Sequence, residues 1–208
     1  MNTALARPHR RRAVAIVTAA LVVALVALIL TVQQALPTAS AAPISPDSPP
    51  VTDSATVTHS ATAADGLIGD ARVTVFDDVP AVTGLDDALR EALRRAARAA
   101  ASDGVELRIN SGWRSPAYQQ QLLQEAVAKY GSAEEAARWV ATADTSEHVT
   151  GAAADIGPWR AADWLGRRGA DFGLCRVYAN EPWHFELRTD AATDGCPPMY
   201  ADPTERRR

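Results

Sequence analysis

Residues 146–155 read Ser-Glu-His-Val-Thr-Gly-Ala-Ala-Ala-Asp, and residues 181–187 read Glu-Pro-Trp-His-Phe-Glu-Leu. The first stretch sets an imidazole, His148, seven residues ahead of a carboxylate, Asp155. Fully extended, that spacing covers about 23 Å, so the two side chains meet only if the chain turns between them. Thr150-Gly151 supplies the turn, because glycine accepts positive φ without steric cost. Ala152–Ile156 then reads as a strand, with Ala152, Ala153 and Ala154 leaving room for close packing. In the second stretch, Glu181 and His184 would face opposite sides of a regular strand. Pro182 argues instead that Glu181 lies in the loop before a strand at Trp183–Leu187. Two imidazoles and one carboxylate (His148, Asp155, His184) make a tetrahedral Zn2+ site with one corner open to water. Glu181 is then the group placed to take a proton from that water. Taken alone, the spacing of the first block favours a capping or loop histidine near an ordinary buried aspartate over a metal site. The second block tips the reading toward a zinc hydrolase: of the four histidines in the chain, the two outside the N-terminal region fall in these two blocks.

Working outward, Arg72–Phe76 alternates like a short strand. Leu85–Ala101 repeats apolar residues every four positions, at Leu85, Leu89, Leu93 and Ala97, and reads as a helix with Asp86 and Asp87 at its start. Val105–Asn110 alternates again and reads as a strand ending at Ser111-Gly112. A helix is predicted from Pro116 to about Tyr130, with Ser115 as its cap and proline in the first turn. Further helices are expected over Ala133–Val140 and Ala161–Arg168. Arg176-Val177-Tyr178 and Trp183–Leu187 are expected as a closing pair of strands. No regular βαβ rhythm appears, so the fold class is α+β: one compact domain with a small antiparallel sheet and flanking helices.

The first 42 residues contain Arg7, Arg10, Arg11 and Arg12, no acid, and an uncharged apolar run from Ala13 to Val32. As a helix this run is roughly 30 Å long, enough to cross a bilayer. Ala39-Ser40-Ala41 has the small-x-small form of a cleavage site. Residues 1–42 are thus either a membrane anchor or a signal peptide, and in both cases the following chain is extracytoplasmic. Residues 43–65, rich in Pro, Ser, Thr and Ala, read as a linker, and 66–208 as the folded domain. Beyond the four arginines, 17 basic residues stand against 25 acidic ones, about −8 overall, which argues against a nucleic-acid partner. Membrane contact is expected through the N-terminal helix if it is uncleaved, and the chain is expected to be a monomer. Two cysteines in an exported region, Cys175 and Cys196, point to a disulfide around a loop carrying Glu181 and His184.

The order Ser-x-His-x-x-Gly-x-Ala-x-Asp, then Glu-x-Trp-His, preceded by Ser111-Gly112-Trp113-Arg114-Ser115, resembles the VanY-type zinc D-alanyl-D-alanine carboxypeptidases over roughly Gly104–Leu187. The resemblance implies His148, Asp155 and His184 as zinc ligands and Glu181 as catalytic base. It implies Arg114 as the group that binds and polarises the scissile carbonyl, and Gln119 and Ser146 as contacts to the terminal D-residue. The implied substrate is a peptidoglycan stem peptide ending in D-Ala-D-Ala. The chain departs from the family in having Trp113 where Tyr is commoner, and Ala143-Asp144-Thr145 where a Pro-Gly pair commonly precedes the histidine block.

Other readings use the same residues less completely. A serine triad of Ser146, His184 and Asp155 lacks a Gly-x-Ser-x-Gly elbow and leaves His148 and Glu181 without roles. Cysteine catalysis needs a free thiolate, which pairing removes. An endopeptidase or L,D-carboxypeptidase on the same site, or a zinc-stabilised wall-binding module without catalysis, stays open.

Overall fold

A computed structural model describes residues 60–207. The apolar run 13–32 and the linker up to residue 59 lie outside the described residues, as do the anchor and signal readings attached to them. Among the described residues no helix is long and apolar enough to cross a membrane.

The elements in chain order are α1 (Pro80–Thr83), α2 (Asp87–Ser102), β1 (Arg108–Ser111), α3 (Pro116–Tyr130), α4 (Ala133–Ala137), β2 (Ala153–Gly157), α5 (Trp159–Arg168), β3 (Leu174–Arg176), β4 (His184–Leu187) and α6 (Ala191–Asp194). The strands form one sheet in the order β1-β2-β4-β3, with every neighbouring pair antiparallel. This is the α+β architecture that the sequence predicts.

Helix α2 starts where Asp86 turns back: its Oδ1 accepts from the Ala88 and Leu89 N–H groups, a cap that contributes about 1 kcal/mol. Its apolar stripe, Leu89, Ala92, Leu93, Ala96 and Ala100, is buried against Ile109, Ala154, Ile156, Leu165, Leu174 and Phe185. Helix α3 begins at Pro116 with the Ser115 hydroxyl accepting from Tyr118 N–H. It ends at Gly131, whose φ of 84° is open to glycine at little cost.

Side chains alternate across a strand, and here the alternation divides the sheet into two surfaces. Ala154 and Ile156 of β2 and Phe185 of β4 face the core. Asp155, between the first two, and His184 and Glu186, on either side of Phe185, therefore share the opposite face. Asp155 and His184 are direct cross-strand partners, which is how residues 29 positions apart meet.

Three predicted strands are corrected, among them Val105–Asn110, where strand β1 begins only at Arg108. Arg72–Phe76 is not a strand. Val73 and Val75 are buried as the alternation requires, and Ile109 N–H reaches Val73 C=O. The Asp77 carboxylate then captures the N–H and hydroxyl of Thr74 and bends the chain into a turn, a local competition that short acidic side chains often win. The strand expected at Arg176–Tyr178 is instead β3, two residues earlier. Val177 and Ala179 bond to Tyr200 of the C-terminal arm, so tertiary pairing with a distant segment decides where β3 ends. The helix expected to reach Val140 stops at Ala137.

Cys175 and Cys196 form a disulfide with Cα atoms 5.6 Å apart. On the chain-entropy model a loop of this size stabilises the fold by about 3 kcal/mol. Cys175 lies opposite Glu186 on β4, so the bridge ties the strand beside His184 to the arm that follows.

Candidate metal centre

His148 is held in the turn ahead of β2. Arg114 N–H donates to its carbonyl (3.1 Å), and Gly151 N–H does the same to close the turn. Gly151 sits at φ 76°, and a Cβ there would come within 2.3 Å of the Gly84 carbonyl oxygen, so conformation and space both require glycine. On the other side, a register shift between Ile109 and Ser111 ends β1 opposite Asp155, and the chain turns at Gly112-Trp113 to bring Arg114 over the sheet. Bulges of this kind commonly re-aim side chains next to sites.

Three donor atoms converge. Asp155 Oδ1 lies 3.4 Å from His148 Nε2 and 3.3 Å from His184 Nδ1, and all three atoms lie within 4.8 Å of one another. Zinc–nitrogen and zinc–oxygen bonds of about 2.0–2.1 Å in a tetrahedron put neighbouring donors roughly 3.3 Å apart. The separations to Asp155 are therefore those of two edges of a zinc tetrahedron.

The remaining ring nitrogens fix the tautomers. His148 Nδ1 is 2.8 Å from the Gly112 carbonyl, which can only accept, so Nδ1 carries the proton and Nε2 offers its lone pair. His184 Nε2 is 3.2 Å from the Glu186 carboxylate, which leaves Nδ1 to face Asp155. Partners of this type set ligand orientation and basicity in metal sites. Asp155 Oδ2 is taken by Arg114 Nη2 at 3.0 Å.

Electrostatics follow from these contacts. Burial alone would raise the Asp155 carboxyl, but the two histidines and Arg114 hold it well below the ordinary range. Burial, reinforced by the Arg114 charge, pushes His148 down. Burial would also lower His184, but hydrogen bonds to Asp155 and Glu186 outweigh it and raise it to about 9. Asp155 and Glu186 thus favour a positive charge at His184, where a proton and a metal ion compete for Nδ1.

Glu181 lies in the loop before β4, and the turn His184 N–H to Glu181 C=O, 3.0 Å, lifts it to the same side as His184. Its Oε2 is 3.8 Å from His184 Nδ1. Its Oε1 is buried with no hydrogen-bond partner. Burial raises this carboxyl to about 7, with His184 opposing and Asp155 adding to the rise. A partnerless buried carboxylate oxygen costs on the order of 1–3 kcal/mol or more, and groups tuned in this way cluster at functional sites.

Arg114 uses three of its five N–H groups within the protein: Nε to Ser111 Oγ (2.7 Å), Nη1 to Gln119 Oε1 (3.1 Å) and Nη2 to Asp155. Two N–H groups remain for a ligand. Gln119 is 1 % exposed, and its Nε2 donates to Ala141 C=O. Its first effect is to hold Arg114. Ser146 is also buried. Arg114, Gln119, Ser146 and the residues of the donor cluster (His148, Asp155, His184 and Glu181) line one cleft of about 230 Å³, together with Trp139, Tyr178, Trp183 and Pro203. The structure thus brings together His148, Asp155, His184, Glu181, Arg114, Gln119 and Ser146. The sequence reading missed Glu186, although His184-x-Glu186 on a strand already puts both on one face. It also missed Tyr178, whose ring centroid is 5.1 Å from that of His184, and Pro203. Neither carries a local signal.

The donor set, the adjacent carboxylate and the arginine over the sheet define a metal-dependent hydrolase type of centre. The sequence model of the family described as VanY, D-alanyl-D-alanine carboxypeptidase, matches residues 83–189, just over half of the chain, and this chain belongs to that family. A D-alanyl-D-alanine carboxypeptidase of Enterococcus faecalis is 36 % identical, with the match covering 46 % of this chain and 45 % of that protein. The chain therefore spans about half the length of this relative. Among solved structures, a glutamate-to-alanine variant of the vancomycin-resistance D,D-pentapeptidase VanY in complex with Zn(II) is 31 % identical over 52 % of this chain and 76 % of that one, with a TM-score of 0.49. VanYB in complex with D-alanine-D-alanine gives 31 %, 52 %, 75 % and 0.49. The LdcB LD-carboxypeptidase gives 24 %, 62 %, 71 % and 0.49.

Proposed function

We propose that this chain is a zinc D-alanyl-D-alanine carboxypeptidase that works outside the cytoplasm and removes the terminal D-alanine of peptidoglycan stem peptides. His148 Nε2, Asp155 Oδ1 and His184 Nδ1 would hold the ion. When bound, zinc lowers the pKa of its water to about 7 and polarises a carbonyl oxygen. Glu181 takes the proton of the attacking water and passes it to the leaving amine of D-alanine. A carboxyl poised near 7 suits both directions of transfer. The two uncommitted N–H groups of Arg114 donate to the carbonyl oxygen as it gains charge. Gln119 keeps the guanidinium in that orientation, and Ser146 lines the cleft where the terminal D-residue would lie.

The observation that carries this reading is the Glu181 Oε1 atom, buried without a partner beside the three donors. A metal site serving structure alone has no use for it. The test is mass spectrometry of muropeptides incubated with the purified chain and zinc. Loss of one alanine from pentapeptide stems supports the proposal. A cut within the stem, or removal of D-alanine from tetrapeptides alone, would replace it with an endopeptidase or an L,D-carboxypeptidase. Intact muropeptides would leave a binding module.

A further inference from the structure

Beyond the end of the family match at residue 189, the chain returns to the site. After the disulfide at Cys196, the arm runs alongside Val177–Asn180. Tyr200 N–H donates to Val177 C=O, Ala179 N–H to Tyr200 C=O, and Asn180 N–H to Ala201 C=O. Asp202 is buried and accepts from Arg138 Nε and from Thr204. Together these contacts deliver Arg206 to the back of the donor cluster. Its Nη1 lies 2.5 Å from Glu186 Oε1 and 3.3 Å from the Tyr178 hydroxyl, and its Nη2 lies 2.7 Å from Glu147 Oε1.

Each partner leads to a ligand. Glu186 Oε1 is the same oxygen that receives His184 Nε2–H. Glu147 directly precedes His148 in the turn. One guanidinium therefore bridges the two segments, distant in sequence, that carry the two imidazoles. Its planar fork suits two carboxylates at once, which a lysine ammonium does not reproduce. Glu186 is 1 % exposed, and its other oxygen is taken by Arg188 at 2.9 Å. Removing Arg206 leaves the shared oxygen bound by His184 alone and takes the Oε1 partner from Glu147, whose Oε2 keeps only the Thr150 hydroxyl at 3.4 Å.

We infer that Arg206 is a positioning residue of the metal centre: it fixes the Glu186 carboxylate and the Glu147 turn, and through them the orientation of His184 and His148. The C-terminal arm is then part of the site. This inference rests on the zinc reading above, and the experiment separates the two. Zinc affinity is measured by competition with a chromophoric chelator for the wild type, Arg206→Ala, Arg206→Lys, Glu186→Gln and the Glu186→Gln/Arg206→Ala pair. Thermal unfolding of each metal-free protein serves as the control for folding. Loss of groups that orient ligands typically weakens binding by about 10–100-fold. Arg206→Ala, one step further out, is expected to lose about tenfold and Arg206→Lys to recover part of it. In the Glu186→Gln background, removing Arg206 should cost markedly less than in the wild type, the remainder acting through Glu147. Arg206→Ala binding zinc as tightly as the wild type would overturn the inference. So would a loss equally large with Glu186 already changed, which would mean Arg206 does not act through Glu186. A wild type that binds no zinc would sink the metal reading itself.

Discussion

On one face of the sheet, Ala154, Ile156 and Phe185 pack against the helices with almost no exposure. One residue along the same strands, Asp155, His184 and Glu186 are 9 %, 4 % and 1 % exposed and hold one another by charge and hydrogen bonds. The apolar face is held by an attraction that is non-directional and proportional to area, so it tolerates exchange of one hydrocarbon for another of similar volume. The polar face has no such tolerance. Each member offsets the desolvation of the next, and removing one strands a buried charge. A register slip of one residue would exchange the two sets, and the cross-strand match of Asp155 with His184 shows how the register is fixed.

The sharpest way to separate the faces is Glu181→Ala. It should lower kcat for D-alanine release by about 10²–10⁴-fold while zinc content per chain stays the same, as read by metal analysis beside the assay. Phe185→Ala, on the opposite face, should do the reverse. It deletes a side chain with 0 % exposure, so a loss of about 3–5 kcal/mol is expected, seen as a lower urea midpoint. Any residual folded fraction should keep its zinc site.

A somewhat smaller effect is expected at the edge of the sheet. Replacing both Cys175 and Cys196 by serine should cost about 3 kcal/mol in the same urea titration and loosen the arm together with β3. An unchanged midpoint would mean that the bridge does not restrain the unfolded chain. Solution pH provides the mildest perturbation of the polar face. His184 is raised to about 9, so below that value a proton must leave before zinc binds. Zinc affinity measured from pH 9 to pH 7 should therefore fall by about tenfold per unit. A flat profile would show that zinc displaces no proton from His184 in this range.

Much of this contrast was legible in the sequence, for reasons that differ by residue. Helix α3 was read to its limits because Ser115, Pro116 and Gly131 are local punctuation. The histidine and aspartate blocks were legible because their chemistry needs few residue types at short spacing, and Gly151 marked the turn between them. What escaped was set by tertiary structure. The Arg72–Phe76 alternation reported burial correctly but not strand pairing, because Asp77 captures Thr74. The end of β3, the approach of Tyr178 to His184 and the entry of Pro203 and Arg206 all depend on where the arm after Cys196 comes back. No short-range pattern encodes that return. Glu186 is the exception, since strand alternation alone could have placed it beside His184.

The account rests on one ion shared by His148, Asp155 and His184. X-ray absorption at the zinc edge, on the chain loaded with one equivalent of zinc, tests it most directly. The expected spectrum has nitrogen and oxygen donors at about 2.0–2.1 Å, with outer-shell scattering from two imidazoles that drops to one in His184→Ala. Sulfur at about 2.3 Å, or a spectrum that His184→Ala leaves unchanged, would contradict it.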